Sequence, residues 1–169
     1  ACRHADHLHT ISTYLEGLAR AFGYAGTITV IPNGVEADIF RPRDRVHTDA
    51  THPVIVTTSR LVEKNGIDIL IRAMVGVIGK VPGARCVIVG DGHERKYLER
   101  LAKELRVSDV VTFVGSIPYK DIPPYLWQGT VFVRPSRSEG LGTSFLEAMA
   151  AGLPIIATPV GGIEDFLHD

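Results

Sequence analysis

Apolar and polar positions alternate in blocks along most of this chain, and the blocks have two kinds of spacing. Short continuous apolar runs are typical of strands buried on both faces, and apolar residues three or four positions apart are typical of amphipathic helices. The runs predict strands at 54–59, 86–89, 110–114, 131–133 and 153–157, and the periodic segments predict helices at 67–78, 97–105, 119–127 and 143–151. This alternation predicts an α/β fold built on a doubly wound parallel sheet.

The N-terminal third of the chain follows a shorter pattern of its own. Residues 5–11 and 27–31 are predicted strands, and the segment between them has the apolar face of a helix. Either Ser12 or Thr13 is expected to cap that helix. Residues 35–52 contain prolines and a polar, charged tail, so we expect a linker there.

The composition is that of an ordinary globular protein. The chain has 169 residues and a formal net charge of −1 at pH 7, so it lacks the basic footprint of a nucleic-acid-binding protein. No apolar run approaches the roughly 20 residues that a membrane-spanning helix needs. The two cysteines, Cys2 and Cys86, are far apart, and we expect a reducing, cytoplasmic location without disulfides. The chain does not begin with methionine, and we expect it to be a fragment of a longer protein.

Three histidines near the N-terminus raise the question of a metal site. His4, His7 and His9 match no standard spacing of metal ligands. On a strand, His7 and His9 would share a face and His4 would not. We therefore expect no metal.

The segment after the predicted strand 131–133 carries most of the unusual chemistry of the chain. Residues 135–152 are P-S-R-S-E-G-L-G-T-S-F-L-E-A-M-A-A-G. A strand, a glycine-containing loop and a helix in succession direct backbone N–H groups toward a ligand above the strand end, which suits a phosphate. Glu139 lies in the loop and Glu147 eight residues later in the helix. Glu147 also follows Ser144 by three residues, so an alternative is that it only completes a capping box.

This E-x7-E pattern, within P-S-x-S-E-G-L-G-x-S-x-L-E-A-M-A-x-G-L-P, resembles the family 4 retaining glycosyltransferases of GT-B type. The resemblance extends to V-I-P-N-G-V (30–35), S-R-L-V-E-K-N-G (59–66), I-V-G-D-G (88–92), F-V-G-S-I (113–117) and A-T-P-V-G-G-I (157–163). It implies two Rossmann-like domains that face each other across a cleft, one for the acceptor and one for the nucleotide sugar. On this basis residues 1–34 are a remnant of the acceptor domain, residues 35–52 an interdomain linker, and residues 53–169 a donor-binding domain without its last helices.

The resemblance also implies roles for individual residues. Glu139 is implied to face the transferred hexose, and Glu147 to accept hydrogen bonds from the ribose hydroxyls. The other implied contacts are Gly140, Leu141 and Gly142 to sugar or phosphate, Thr143 and Ser144 to the diphosphate, and Gly115, Ser116 and Ile117 to the base. The alternatives are that Glu139 is a solvated loop charge and that the glycines form a simple turn.

Two basic residues complete the implied site. Arg60, at the end of the first strand of the donor domain, is implied to hold the diphosphate and to stabilise the charge that builds on it. The family has a lysine directly before Gly66, whereas this chain has Asn65 there and Lys64 one position earlier. We therefore expect Lys64 to reach the phosphates from a displaced position. Asn65 is an expected N-cap of the next helix, with Asp68 three residues later.

The resulting hypothesis is retaining transfer of a hexose from a nucleoside diphosphate sugar to an acceptor hydroxyl, without a metal or another cofactor. We expect this chain to carry the donor-binding half and to transfer little by itself. The expected acceptor is a glycan or a lipid, and contact with the inner face of a membrane is compatible with it. The alternatives are a non-catalytic nucleotide-sugar-binding module and a phosphorylase or epimerase of the same fold.

Overall fold

The computed structural model describes residues 5–42 and 51–168, so His4 and Cys2 and positions 43–50 of the predicted linker lie outside the described residues. The strands are β1 (His7–Thr10), β2 (Thr27–Val30), β3 (Val54–Thr58), β4 (Arg85–Val89), β5 (Val111–Gly115), β6 (Val131–Arg134) and β7 (Ile155–Ala157). The helices are α1 (Thr13–Ala21), α2 (Ala37–Phe40), α3 (Ile67–Lys80), α4 (Arg95–Glu104), α5 (Pro123–Trp127) and α6 (Thr143–Ala150), with 3₁₀ turns at Glu63–Asn65, Tyr119–Asp121 and Gly161–Asp165. No helix in these ranges is both long enough and apolar enough to cross a bilayer.

Strands β3 to β7 form one parallel sheet in the order β5-β4-β3-β6-β7. The prediction of an α/β fold with a parallel sheet is therefore confirmed. The chain leaves β3 to build one side of the sheet and then returns to β6, beside β3, to build the other side. The carboxyl ends of β3 and β6 border this switch point, which is where ligands bind in folds of this kind.

The sheet separates two hydrophobic cores. Successive side chains of a strand point to opposite faces, and accordingly Ile55 packs into the core under α3 and α4, whereas the neighbouring Val56 packs into the core under α6. Phe132 and Phe145 meet in the second core with ring centroids 5.4 Å apart. Cys86 is fully buried in the first core, as predicted, and burial raises the pKa of its thiol to about 12.

The N-terminal segment forms a second, two-stranded parallel sheet of β1 and β2, joined by α1. The N-cap of α1 is Ser12, whose hydroxyl accepts from the N–H of Leu15 at 3.2 Å. Thr13 is therefore not the cap, and its N–H and hydroxyl donate to the carboxylate of Asp165 at 2.7 and 2.5 Å. These bonds tie α1 to the last 3₁₀ turn of the large domain.

The described part of the predicted linker is packed onto the large domain. Helix α2 places the fully buried ring of Phe40 in the second core, 5.1 Å from the ring of Tyr119. Trp127 of α5 donates from Nε1 to the carbonyl of Arg41 at 3.0 Å. A short polar segment has no periodicity that could reveal such an anchor, so the sequence pattern indicated only a connection.

Candidate functional site

A cavity of about 530 Å³ lies above the carboxyl ends of β3, β4 and β6. Its walls are the loops after these strands and the first turns of α6. The predicted site residues that line it are Arg60, Lys64, Ser116, Ile117, Glu139, Gly140, Leu141, Gly142, Thr143, Ser144 and Glu147. Gly115 is not among the lining residues. Its carbonyl accepts from the N–H of Gly90 at 2.8 Å, so it shapes the loop that carries Ser116.

Two helices begin beside this cavity with a glycine in place of a capping side chain. Gly66 (φ 67°) precedes α3 and Gly142 (φ 81°) precedes α6, and neither helix start has a side-chain cap hydrogen bond. The predicted N-cap role of Asn65 is therefore wrong. The capping-box interpretation of Ser144 and Glu147 is also wrong, because Ser144 lies inside the helix. An uncapped helix start leaves backbone N–H groups that favour an anion.

Glu139 belongs to a buried ion pair. It is 6% exposed, so the solvated-loop alternative is wrong. Its Oε1 accepts from Nη2 of Arg134 at 2.7 Å and from the hydroxyl of Ser136 at 3.0 Å. Its Oε2 lies 3.9 Å from Nζ of Lys64. One carboxylate oxygen is thus held by buried partners, and the other faces a lysine at the cavity.

Arg134, at the end of β6, is the residue of the site that sequence analysis missed. It is 5% exposed, and its guanidinium lies 4.4 Å over the ring of Phe145. Three further oxygens accept from it: Nη1 donates to the carbonyl of Thr58 (3.2 Å) and the hydroxyl of Ser144 (2.5 Å), and Nε to the hydroxyl of Ser136 (3.2 Å). The signal in the sequence was an arginine directly after an apolar strand. That signal is weak, because most arginines are exposed.

Glu147, in α6, is 7% exposed. Burial raises the pKa of its carboxyl above the ordinary value of 4.5, although the nearby charge of Arg134 and a hydrogen bond with Tyr119 act in the opposite direction. Burial and the carboxylates of Glu147 and Glu36 raise the pKa of the Tyr119 phenol in turn. A buried carboxylate with a raised pKa beside a cavity is a candidate for ligand contact.

The two predicted phosphate ligands lie at the mouth of the cavity. Arg60 is exposed, and the side chain of Lys64 is 45% exposed. Asn65 is turned inward, and its Nδ2 donates to the hydroxyl of Ser59 at 2.9 Å and to the carbonyl of Arg60 at 2.8 Å. Asn65 therefore braces the loop that carries both cations, and it adds no charge to the site.

The loops after β3 and β6 are packed tightly against each other. A Cβ on Gly66 would lie 1.9 Å from the carbonyl oxygen of Pro135, so only glycine allows this approach. The N–H of Arg137 donates to the carbonyl of Lys64 at 2.7 Å. The guanidinium of Arg137 also pairs with Asp68 and holds the pKa of that carboxyl below its ordinary value. These contacts fix the Lys64 loop relative to the loop of Glu139.

The histidines of β1 are engaged with the neighbouring strand. Nε2 of His7 lies 2.9 Å from the hydroxyl of Thr29, and Nε2 of His9 lies 3.0 Å from the carbonyl of Ile31. Within residues 5–42 and 51–168, no group of three histidine, cysteine, aspartate or glutamate side chains is arranged to hold a metal ion.

The parallel sheet, its two helical layers and the cavity at its switch point define a doubly wound α/β protein of GT-B type. Sucrose-phosphate synthase from Thermosynechococcus elongatus has a TM-score of 0.86 and 30% identity, over 97% of this chain and 43% of that one. HepE of Anabaena, solved in complex with UDP and glucose, has a TM-score of 0.87 over 100% of this chain and 48% of that one. At 23% identity this second likeness shows the fold alone.

The chain belongs to the family described as glycosyl transferases group 1, which it matches over residues 39–169. It is 37% identical to the GDP-mannose-dependent alpha-(1-6)-phosphatidylinositol monomannoside mannosyltransferase of Mycobacterium tuberculosis, over 93% of this chain and 45% of that protein. It is 35% identical to a human (Homo sapiens) phosphatidylinositol N-acetylglucosaminyltransferase, over 84% of this chain and 29% of that protein. The chain thus spans less than half the length of these relatives.

Proposed function

We propose that this chain is the donor-binding half of a retaining glycosyltransferase, which moves a hexose from a nucleoside diphosphate sugar to an acceptor hydroxyl. One observation carries the proposal: a single cavity at the switch point is lined by both carboxylates of the E-x7-E pattern and by the cations Arg60 and Lys64. Membership of the glycosyl transferases group 1 supports the reaction class. The retaining outcome rests on the resemblance to family 4.

The nucleoside is assigned to the Glu147 side of the cavity. Ribose hydroxyls would donate to this carboxylate and replace the hydrogen bonds that it loses on burial. The base would lie against the loop of Ser116 and Ile117, which Gly115 shapes through its bond to Gly90. Contacts with backbone groups there suit a flat base and leave its identity open to experiment.

The diphosphate is assigned to the start of α6 and to the two cations. Thr143 and Ser144 offer hydroxyls and the uncapped first turn of the helix. Arg60 and Lys64 would stabilise the negative charge that builds on the diphosphate as the bond between its oxygen and the sugar C1 breaks. The reaction proposed here uses no metal and no other cofactor.

The hexose is assigned to the turn of Glu139, Gly140, Leu141 and Gly142. The acceptor hydroxyl would form its bond to C1 on the face that the diphosphate leaves, and a phosphate oxygen of the leaving group would take the hydroxyl proton. Glu139 is held on Oε1 by Arg134 and Ser136. We therefore assign it to orientation of the sugar and not to covalent attack.

The names of the relatives suggest the acceptor and the first donor to test. One is named a GDP-mannose-dependent mannosyltransferase of a phosphatidylinositol monomannoside, and another a phosphatidylinositol N-acetylglucosaminyltransferase. By analogy we propose a lipid-linked or glycan acceptor at the cytoplasmic face of a membrane, bound by parts of a longer protein. This step is analogy at the level of family and not of site.

Calorimetric titration of the chain with GDP, UDP, ADP and their hexose conjugates tests the proposal. We expect one nucleotide to bind and Glu147→Ala to weaken it about tenfold, the value of a hydrogen bond to a charged group. Glu104→Ala, which removes an exposed carboxylate outside the cavity lining, is the matched control and should bind as the unmodified chain does. A folded chain that binds none of these nucleotides would overturn the proposal.

A second candidate is a non-catalytic nucleotide-sugar-binding module, and the observation that favours it is the neutral, inward-turned Asn65. It predicts donor binding of the same kind without transfer. Incubating the longer protein that contains this chain with GDP-mannose and a phosphatidylinositol mannoside separates the two. Release of GDP together with a mannosylated lipid supports the transferase, and binding without release supports the module.

A further inference from the structure

A buried arginine beneath the cavity has no part in the donor contacts proposed above. Arg134 is 5% exposed, and arginine is almost never fully buried unless it is paired. Its guanidinium lies between the ring of Phe145 and the turn that carries Glu139. A Cβ on Gly142 would lie 3.3 Å from Nη2, so the guanidinium packs directly under that turn.

The charge of Arg134 does not explain its presence beneath an anion site. Nη2 lies 2.7 Å from Oε1 of Glu139, and the two side chains are 6% and 8% exposed. Such a pair has little net charge, so it attracts a distant anion only weakly. The exposed Arg60 and Lys64 are better placed to attract the donor. What Arg134 contributes is geometry.

Arg134 determines the direction of two hydroxyl hydrogens. A guanidinium has five N–H donors and no acceptor, so a hydroxyl bonded to it must accept and must send its own hydrogen elsewhere. Ser136 accepts from Nε at 3.2 Å and donates to Oε1 of Glu139 at 3.0 Å. Ser144 accepts from Nη1 at 2.5 Å, and it lines the cavity at the start of α6. The hydroxyl hydrogen of Ser144 is therefore free to serve a ligand in the cavity.

We propose that Arg134 is a positioning residue of the donor site, which turns the Ser144 hydroxyl toward the diphosphate and holds the Glu139 carboxylate by Oε1 so that Oε2 faces Lys64 and the sugar. This inference rests on the proposed function and names a residue through which that site recognises a diphosphate. The effect acts through two neighbours, and Arg134 itself touches neither phosphate nor sugar. A planar guanidinium suits the task, because its fixed fork reaches several oxygens at once.

Two conservative variants test the inference. Ser144→Ala removes the hydroxyl, and Arg134→Lys keeps a positive charge for Glu139 but lacks the fork. The chain is titrated with GDP and UDP by calorimetry, and with guanosine and uridine by ligand-observed NMR. We expect each substitution to weaken the diphosphate about tenfold and to leave the nucleoside unchanged. The double variant should bind the diphosphate no more weakly than either single variant, because both substitutions remove the same hydrogen bond.

Other outcomes overturn the inference in distinguishable ways. Equal losses for nucleoside and diphosphate, or losses that add in the double variant, would reduce Arg134 to a structural residue. Diphosphate binding that Ser144→Ala leaves unchanged would overturn this inference alone, and a folded chain that binds no nucleotide would overturn the proposed function with it. Ser138→Ala, at an exposed serine of the same loop, is the matched control. Arg134→Gln, which keeps one donor group, replaces Arg134→Lys if the latter does not fold.

Discussion

The two carboxylates of the site, Glu139 and Glu147, are equally buried and are held in opposite ways. They are 6% and 7% exposed. Glu139 lies 2.7 Å from a buried guanidinium and accepts a serine hydroxyl as well, whereas burial raises the pKa of Glu147 against the influence of its neighbours. A paired buried charge is compensated, but a carboxylate with a raised pKa costs the fold free energy whenever it is ionised. Glu139 therefore belongs to the frame of the site, and Glu147 is explained by a ligand better than by the fold.

Removing Arg134 should give the largest effect, because it leaves the Glu139 carboxylate buried without its cation. Breaking a buried pair from one side costs about 3–5 kcal/mol, and we expect Arg134→Met to lose that much free energy of unfolding. Urea unfolding followed by circular dichroism measures the loss.

The double variant Arg134→Met with Glu139→Gln is the control for this prediction. It removes both charges, so it should lose less free energy of unfolding than the two single variants together. If Arg134→Met alone lost under about 1 kcal/mol, the pair would resemble an exposed one. The contrast between the two carboxylates would then disappear.

A second test concerns the backbone that supports the Glu139 side. Gly66 has a φ of 67°, and a Cβ there would lie 1.9 Å from the carbonyl oxygen of Pro135. The left-handed conformation alone costs a non-glycine residue about 1–2 kcal/mol, and displacement of the loop adds to it. We expect Gly66→Ala to lose about 2 kcal/mol or more of the free energy of unfolding.

Gly76→Ala is the matched control within the same helix. A Cβ at Gly76, inside α3, meets nothing within 4 Å, so alanine should stabilise the chain by about 0.5–1 kcal/mol. A Gly66→Ala variant as stable as Gly76→Ala would show that the two loops adapt to each other. The frame around Glu139 would then be less rigid than its contacts indicate.

The third test concerns the Glu147 side, where stability and binding should move in opposite directions. Glu147→Gln removes the charge and keeps the shape, so we expect the free energy of unfolding to stay the same or rise by up to about 1 kcal/mol. Nucleotide affinity should fall about tenfold, because an amide is a weaker acceptor for the ribose hydroxyls than a carboxylate. Glu139→Gln should instead lower stability. Equal stability losses in the two variants would contradict the comparison.

The same carboxyl predicts a pH dependence with a defined sign. The pKa of Glu147 is raised in the folded chain, so between the unfolded value of about 4.3 and the folded value the folded state binds more protons. The free energy of unfolding therefore falls as pH rises through this interval. Nucleotide affinity rises over the same interval, because the ionised carboxylate is the acceptor. Both steps should be absent from Glu147→Gln, as measured by unfolding and by calorimetry across pH.

The sheet and the place of the site were predictable because both depend on local patterns. Continuous apolar runs separated by amphipathic segments occur only where strands are covered on both faces, and this pattern holds from 54–59 to 153–157. A glycine loop between a strand and a helix then marks the carboxyl edge of the sheet. These features need no knowledge of distant contacts.

The partners of individual side chains were not predictable, because they depend on the packing of segments far apart in the chain. Arg134 bonds to Thr58, which lies 76 residues away, and nothing in the short segment around Phe40 indicates a buried ring. Asn65 looked like a helix cap because of its position, but Gly66 in the left-handed conformation begins α3 and frees Asn65 to brace the loop. Tertiary contacts overrode a local preference in each case.

The smallest effect is expected at the exposed pair of Arg137 and Asp68, which joins the same two loops from outside the cavity. Their closest atoms are 2.8 Å apart, and the side chains are 39% and 16% exposed. Such pairs contribute about 0.2–1 kcal/mol, so Asp68→Asn should lose no more than that. Arg137 lowers the pKa of Asp68, so this contribution is present above about pH 3.9 and is lost as pH falls through the lowered pKa.

Salt separates this pair from the buried one. Molar salt should remove most of the difference between Asp68→Asn and the unmodified chain, and it should leave the effect of Arg134→Met nearly unchanged, since buried charges are screened little. Urea unfolding at low and high salt measures both. If Asp68→Asn lost several kcal/mol and the loss did not depend on salt, the outer pair would be as important to the frame as the inner one. Burial would then not be the property that separates residues of the frame from the carboxylate kept for the ligand.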